Sequence, residues 1–356
     1  MGDRQLSAPV AALRPPRAHG PPPAPGVLRE LPEDFVVEET LGFAPAGTGQ
    51  HLLLRVRKRD ANTPWVAQQL ARIAGCRAAE VGYAGLKDRR AIALQWFSVP
   101  QPRTAVDWQA RSSTDFEVLE VHAHTRKLPR GALAGNRFAI RIRAGDGARL
   151  AALLAPRLGL ISRLGVPNYF GPQRFGRDGG NLALTGARRL RREQRGFALS
   201  AARSLIFNAV LAERVLAGSW GELRCGDLAN LDGRGSLFAV DTVDGELAGR
   251  CERLEIHPTG PLWGGGALAT HAAVLELESR AAARFPDECA QCAAAGMQQE
   301  RRSLRARVQE LSCLPEPQAV VLRFALGRGC FATAVLRELI ETADDRADGQ
   351  PSDSST

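Results

Sequence analysis

The sequence is short of lysine, of long apolar runs and of cofactor signatures. Only three of its 47 basic residues are lysines, Lys58, Lys87 and Lys127; the rest are arginines. A guanidinium forks onto phosphates and stacks on bases, although genome composition produces the same bias. No apolar run reaches the roughly 18 residues that a membrane span needs, so no membrane partner is expected. The N-terminal region has no apolar core of a signal peptide, and the expected compartment is the cytoplasm. Seven cysteines, an odd number scattered through 356 residues, fit free thiols in a reducing compartment better than a disulfide framework. Cys289 and Cys292 form a lone Cys-x-x-Cys with no second pair, too little for zinc. His122 and His124 have no further ligands nearby and read as basic surface residues. There is no Walker loop and no dinucleotide fingerprint, so no nucleotide cofactor or metal is expected.

What the chain does have is positive charge. It carries a net +9 with a pI near 9.8. An excess of this size points to a polyanionic partner, nucleic acid before membrane. Its length exceeds that of one ordinary domain, so two are expected.

The pattern along the chain is uneven. Residues 1–26 are rich in Pro, Ala and Arg and read as a disordered tail. Leu31-Pro-Glu-Asp-Phe-Val-Val-Glu-Glu39 reads as a turn and a strand, and residues 50–58 as an alternating strand. Thr63 is the expected cap of a helix that starts at Pro64 and ends at Gly75. Residues 115–121 and 137–143 are further strands, the second with Phe138, Ile140 and Ile142 inward and Arg137, Arg141 and Arg143 outward. Residues 165–176 form a Gly/Pro/aromatic loop, either an RNA-facing set of rings or a structural staple of Tyr169, Phe170 and Phe175. A basic cluster follows, Arg188 to Arg195, then an amphipathic helix over 197–215. Residues 264–313 read as Ala-rich helix, 319–326 as a buried strand and 331–339 as a helix.

One stretch concentrates chemistry. Tyr83-Ala-Gly-Leu-Lys-Asp-Arg-Arg90 is a glycine-assisted turn between two strands, with Asp88 beside Lys87, Arg89 and Arg90. Cations beside a carboxylate favour its charged form, which suits a nucleophile or general base. The plain alternative is a surface turn whose Asp binds its own backbone.

Ala84-Gly-Leu-Lys-Asp-Arg-Arg with Gln95-Trp-Phe resembles the catalytic motif of the TruD family of tRNA pseudouridine synthases. The resemblance continues in Asp34, Phe35, Val37 and Glu39, in Leu133-Ala-Gly-Asn-Arg-Phe138, in the 165–176 loop and in Gly329-Cys-Phe-Ala-Thr-Ala-Val-Leu-Arg-Glu338. It implies Asp88 as the catalytic carboxylate, acting at the sugar as nucleophile or base. It implies Phe35, Asn136 and Phe138 as active-site residues, the rings stacking on the base and the amide hydrogen-bonding the carboxylate or the uracil edge; the plain alternative for the rings is core. Lys87 is the nearest cation to pair with Asp88, and Arg29, where the family places a basic residue, is the second candidate. The implied fold is α+β: a pseudouridine synthase fold, a mixed and mainly antiparallel sheet with flanking helices, with an inserted α/β TruD domain. The expected boundaries are 27–164 with 314–345 for the split catalytic domain, 165–313 for the insertion and 346–356 for a second tail. The implied partner is tRNA, with uridine 13 as the target, acted on by a monomer.

Two other classes compete. A non-catalytic RNA-binding protein would use the arginine strand and the aromatic loop alone, but gains nothing from a carboxylate facing phosphates. An Asp-dependent phosphoesterase would want a second carboxylate cluster for metal, and none is visible.

Overall fold

The structure is a computed structural model and describes residues 14–176, 179–184 and 189–342. In chain order, β1 (Ala24–Pro25), β2 (Val27–Leu28), β3 (Phe35–Leu41) and β4 (His51–Arg59) precede helix α1 (Thr63–Ala74). β5 (Gly82–Tyr83), β6 (Ile92–Pro100), β7 (Phe116–His124) and β8 (Leu133–Arg143) lead to α2 (Gly147–Leu164) and β9 (Val166–Pro167). Next come α3 (Arg192–Leu216), β10 (Leu228–Leu231), β11 (Leu237–Ala239), α4 (Gly245–Glu252), β12 (Ile256–Leu262), α5 (Ala272–Ala282), α6 (Pro286–Ala294) and β13 (Glu300–Ser303). The last elements are β14 (Arg305–Ala306), β15 (Val308–Glu316), β16 (Ala319–Gly327), α7 (Ala332–Leu339) and β17 (Ile340–Glu341). Among the described residues no helix is long and apolar enough to cross a membrane.

The described chain divides into two compact units. One comprises residues 23–158, 309–329 and 340–342; the other comprises 14–22, 159–308 and 330–339. The C-terminal return expected over 314–345 is therefore shared, because residues 330–339 group with the second unit.

The first unit is built on a mixed sheet in the order β15-β16-β8-β3-β6-β4-β7, with β2 added to β8 and β5 to β6. β3 and β6 run parallel, whereas β3–β8, β4–β6, β4–β7 and β8–β16 are antiparallel. Helix α1 covers one face. Its Val66, Leu70 and Ala74 pack against Leu54, Val56, Phe97 and Val99, and each large side chain so buried contributes roughly 1.5–3 kcal/mol. Gly75, at φ 67°, ends the helix. Its N-cap is Asn62, not Thr63, and the Thr63 hydroxyl is turned to Gln95 instead.

The alternation read in β8 holds, with Phe138, Ile140 and Ile142 buried. Its outward arginines do not face open solvent as free cations. Arg137 pairs with Glu310 at 3.1 Å, Arg141 with Glu316 at 2.8 Å and Arg143 with Asp34 at 2.9 Å. His124 is buried and stacked on Phe43 rather than on the surface.

In the second unit α3 is wrapped by β12, α5 and α6, beside the antiparallel sheet β11-β10-β12-β13. Tyr169, Phe170 and Phe175 lie in its core with Leu205, Phe207 and Phe285, so the aromatic loop is structural. Helix stops at Ala294, short of the expected 313, and strands begin at Glu300. The strand arginines are buried against partners a sequence cannot display: Arg301 on Glu278 at 2.7 Å, Arg305 on the Cys251 carbonyl at 2.7 Å.

Residues 14–26, expected to belong to a disordered tail, are ordered. Proline-rich backbone has few donors of its own, and here other residues hold it. Arg17 Nε donates to the Arg337 carbonyl at 2.8 Å and the His19 N–H to Glu338 at 3.1 Å. Ala24 and Pro25 pair in parallel with Ile340 and Glu341. Residues 1–13, Arg188 and the second tail at 346–356 lie outside the described residues.

Candidate active site

The site lies within the first unit, at the turn between β5 and β6. Three layers fix it. The deepest is polar and closed. Lys87 Nζ sits 2.8 Å from Glu39 Oε1, and the Glu39 side chain is fully buried. Glu39 Oε2 accepts the Trp96 N–H at 3.0 Å, while Gln95 Nε2 donates to Glu39 at 3.3 Å and to the Gly85 carbonyl at 2.7 Å. The Thr63 hydroxyl donates to Gln95 Oε1 at 3.0 Å and accepts the Lys87 N–H at 3.1 Å. A buried charge is tolerated only when paired and fully hydrogen-bonded, and this network meets that condition. Its partners come from β3, β6, α1 and the turn, so it ties the turn to the sheet in one conformation.

The second layer is Lys58. It is fully buried and donates to the Ala61 carbonyl at 2.7 Å and the Asp88 carbonyl at 2.8 Å. Burial pulls its ammonium down to about 8, against the opposing attraction of Asp88; Lys87 adds a repulsion. Strand parity marks it. Lys58 follows Leu52, Leu54 and Val56 on one face of β4, while Arg55 and Arg57 take the other.

The third layer is the reactive edge. Arg29 Nη2 pairs with Asp88 Oδ2 at 2.8 Å, with the Asp88 side chain 35% exposed. Arg29, not Lys87, is the cation on Asp88; Lys87 turns inward to Glu39 and Asn136. Arg29 has φ 56°, an uncommon conformation for a side-chain-bearing residue. Its guanidinium lies 4.1 Å over the Phe35 ring. Phe35 meets Phe138 edge-on at 6.1 Å, and Phe138 stacks on Phe324 at 5.2 Å. Both Phe35 and Phe138 are buried, so they form a column beneath Arg29 rather than an open stacking face.

Asn136 Oδ1 accepts from Lys87 Nζ at 2.8 Å. An ammonium only donates, so the amide presents oxygen to it and turns its NH2 the other way. The sequence-expected residues Asp88, Arg29, Phe35, Phe138, Lys87 and Asn136 thus converge on one turn. Lys58, Glu39, Gln95 and Thr63 complete the set. The arrangement offers one accessible carboxylate, paired with Arg29, on a residue whose backbone carbonyl is held by Lys58. Such a group can attack carbon or take a proton.

Comparison with known proteins gives a consistent result. The family model described as tRNA pseudouridine synthase D (TruD) matches residues 18–198 and 186–339. The chain is 45% identical over 352 residues to the tRNA pseudouridine synthase D of Xanthomonas axonopodis pv. citri (strain 306), covering 92% of this chain and 95% of that protein. It is 45% identical over 337 residues to the synthase of the same name from Methylococcus capsulatus, covering 92% and 94%. A crystal structure from Methanosarcina mazei assigned to tRNA pseudouridine synthase D superposes with a TM-score of 0.70 at 20% identity, over 95% of this chain and 98% of that one. At that identity the match speaks for the fold.

The buried ion pair can be tested directly. Lys87→Met strands the Glu39 charge and is expected to cost about 3–5 kcal/mol of unfolding free energy. Glu39→Gln combined with Lys87→Met should recover most of that loss. Urea titration of the four proteins of this cycle measures the coupling; additive losses would mean that the two side chains do not stabilise one another.

Proposed function

The chain belongs to the TruD family of tRNA pseudouridine synthases, and we propose that it isomerises uridine to pseudouridine in tRNA, at uridine 13, with Asp88 as the carboxylate acting at the sugar. The observation that carries this reading is the Arg29–Asp88 pair on a turn tied down by the buried Lys87–Glu39 network.

In the reaction the N1–C1′ bond breaks, the uracil turns, and C5 bonds to C1′. C5 loses a proton and N1 gains one, so the change is an isomerisation with no redox partner. Asp88 acts either as nucleophile at C1′ or as base at the sugar. The target uridine must leave the RNA stack before a carboxylate on a turn can reach it. Arg29 orients the Asp88 carboxylate and stays in place because Phe35 lies beneath it. The Asn136 NH2 is the group free to read the uracil edge. Lys58 holds the Asp88 backbone and adds positive charge beside the carboxylate. Action on cytoplasmic tRNA as a monomer is part of the same proposal.

The binding-only alternative loses the feature it needed. The β8 arginines that would have formed its RNA surface are paired with Glu310, Glu316 and Asp34.

Two measurements test the reading. Purified protein is incubated with a pool of unmodified tRNA, and pseudouridine is mapped by position. The reading expects pseudouridine at uridine 13; binding with no pseudouridine anywhere would give the binding-only alternative, and modification at another position would remove the uridine 13 assignment. The second measurement is the pH profile of the single-turnover rate. Above about pH 8 Lys58 loses its proton, and with it the positive charge beside Asp88. The rate should therefore fall as pH rises through that value. Lys58→Met should have a lower plateau and lack this limb. A flat wild-type profile up to pH ~9.5 would contradict the role given to Lys58.

A further inference from the structure

Several arginines of the first unit are already neutralised: Arg55, Arg57, Arg59, Arg137, Arg141 and Arg143 each meet a carboxylate. Arg130 and Arg328 do not. Both are exposed, and among the described residues neither has a carboxylate partner. They flank one glycine. The Arg130 guanidinium lies 3.8 Å over the Tyr83 ring. Gly131 donates its N–H to the Ala84 carbonyl at 2.7 Å and has φ 76°. The Arg328 guanidinium packs on Gly131 so closely that a Cβ there would come within 2.7 Å of Nη2. The φ of 76° favours glycine at 131, Arg328 lies against it, and Arg130 lies over Tyr83.

This cluster has a defined relation to Asp88. Residues 82–87 and 128–136 run side by side, joined by the Ala84–Gly131 bond and the Lys87–Asn136 bond. Tyr83 is five residues from Asp88 along that ribbon, at most about 17 Å for extended chain. Guanidinium groups without a carboxylate partner are suited to phosphate, and the one held over a ring is already placed before binding.

We propose that Tyr83, Arg130 and Arg328 form a contact for the RNA backbone flanking the target nucleotide. Arg130 and Arg328 hold phosphate oxygens, and Tyr83 keeps the Arg130 plane in position. This rests on the tRNA reading above and adds to it a specific surface outside the catalytic turn.

The test measures tRNA affinity against salt concentration, with KM and kcat alongside, for wild type, Arg130→Ala, Arg328→Ala and the double variant. Arg72→Ala, on the exposed side of α1, controls for loss of one charge. Each single variant should weaken binding about tenfold near 0.15 M salt. Each should also lower the slope of log affinity against log salt by about 0.7–0.9. The loss should sit in KM rather than kcat. Tyr83→Ala should reproduce part of the Arg130→Ala effect, which a pure charge effect would not. Variants that bind like Arg72→Ala, with an unchanged salt slope, overturn the proposal. Failure of the wild type to bind or modify tRNA overturns the underlying reading as well, and the wild-type arm alone reveals it.

Discussion

The buried contact between Lys87 and Glu39 is the interaction on which the rest of the site depends. Glu39 is wholly enclosed, at the middle of the sheet, on a strand that pairs with both β6 and β8. A carboxylate there must be matched by a cation and by hydrogen bonds on its remaining lone pairs. Lys87 supplies the charge, and Trp96 and Gln95 supply the bonds. Meeting that demand draws Lys87 inward. The next residue, Asp88, is then left at the edge of the turn. The inward lysine also accounts for Arg29 being the partner of Asp88, since the lysine is already used.

The sheet converts this local arrangement into a wider one. Glu39 pairs in register with Asn136 across β3 and β8, and the same lysine binds both side chains. Phe35 and Phe138 come from the same two strands and meet edge-on, with Phe35 under Arg29. Charge is thus divided by depth. Lys58 and Lys87 are inside and set the backbone, whereas Arg29 is at the rim and faces what binds there. Burial pulls the Lys58 ammonium down to about 8. Lys58 therefore makes the charge beneath the turn respond to pH near that value.

Much of this was legible in the sequence because it was local. The alternation of β8, the helix ended by Gly75 and the Asp88 turn follow from side-chain period and turn chemistry. What stayed hidden depended on partners far along the chain. Thr63 looked like a helix cap, yet Asn62 takes that position and the Thr63 hydroxyl serves the turn. Residues 264–313 read as Ala-rich helix, yet Arg301 and Arg305 lie in strands, held against Glu278 and Cys251. Residues 14–26 had a disordered composition, but Arg337, Glu338 and β17 hold them. Lys58 was within reach of reasoning: its parity on β4 places it with the apolar face, and a lysine there needs carbonyl partners. The family resemblance pointed to Asp88, Asn136, Phe35 and Phe138, and of the two readings left open for the rings the structure shows them buried.

The most direct test of the account is Asp88→Asn, assayed for pseudouridine under single-turnover conditions with tRNA binding measured on the same preparation. The substitution keeps the shape of the turn and removes only the charge. The account predicts affinity close to that of the wild type and a rate lowered by about 10²–10⁴-fold or more. Pseudouridine formed by Asp88→Asn at the wild-type rate would contradict it, and would move the chemistry to another residue of the same turn.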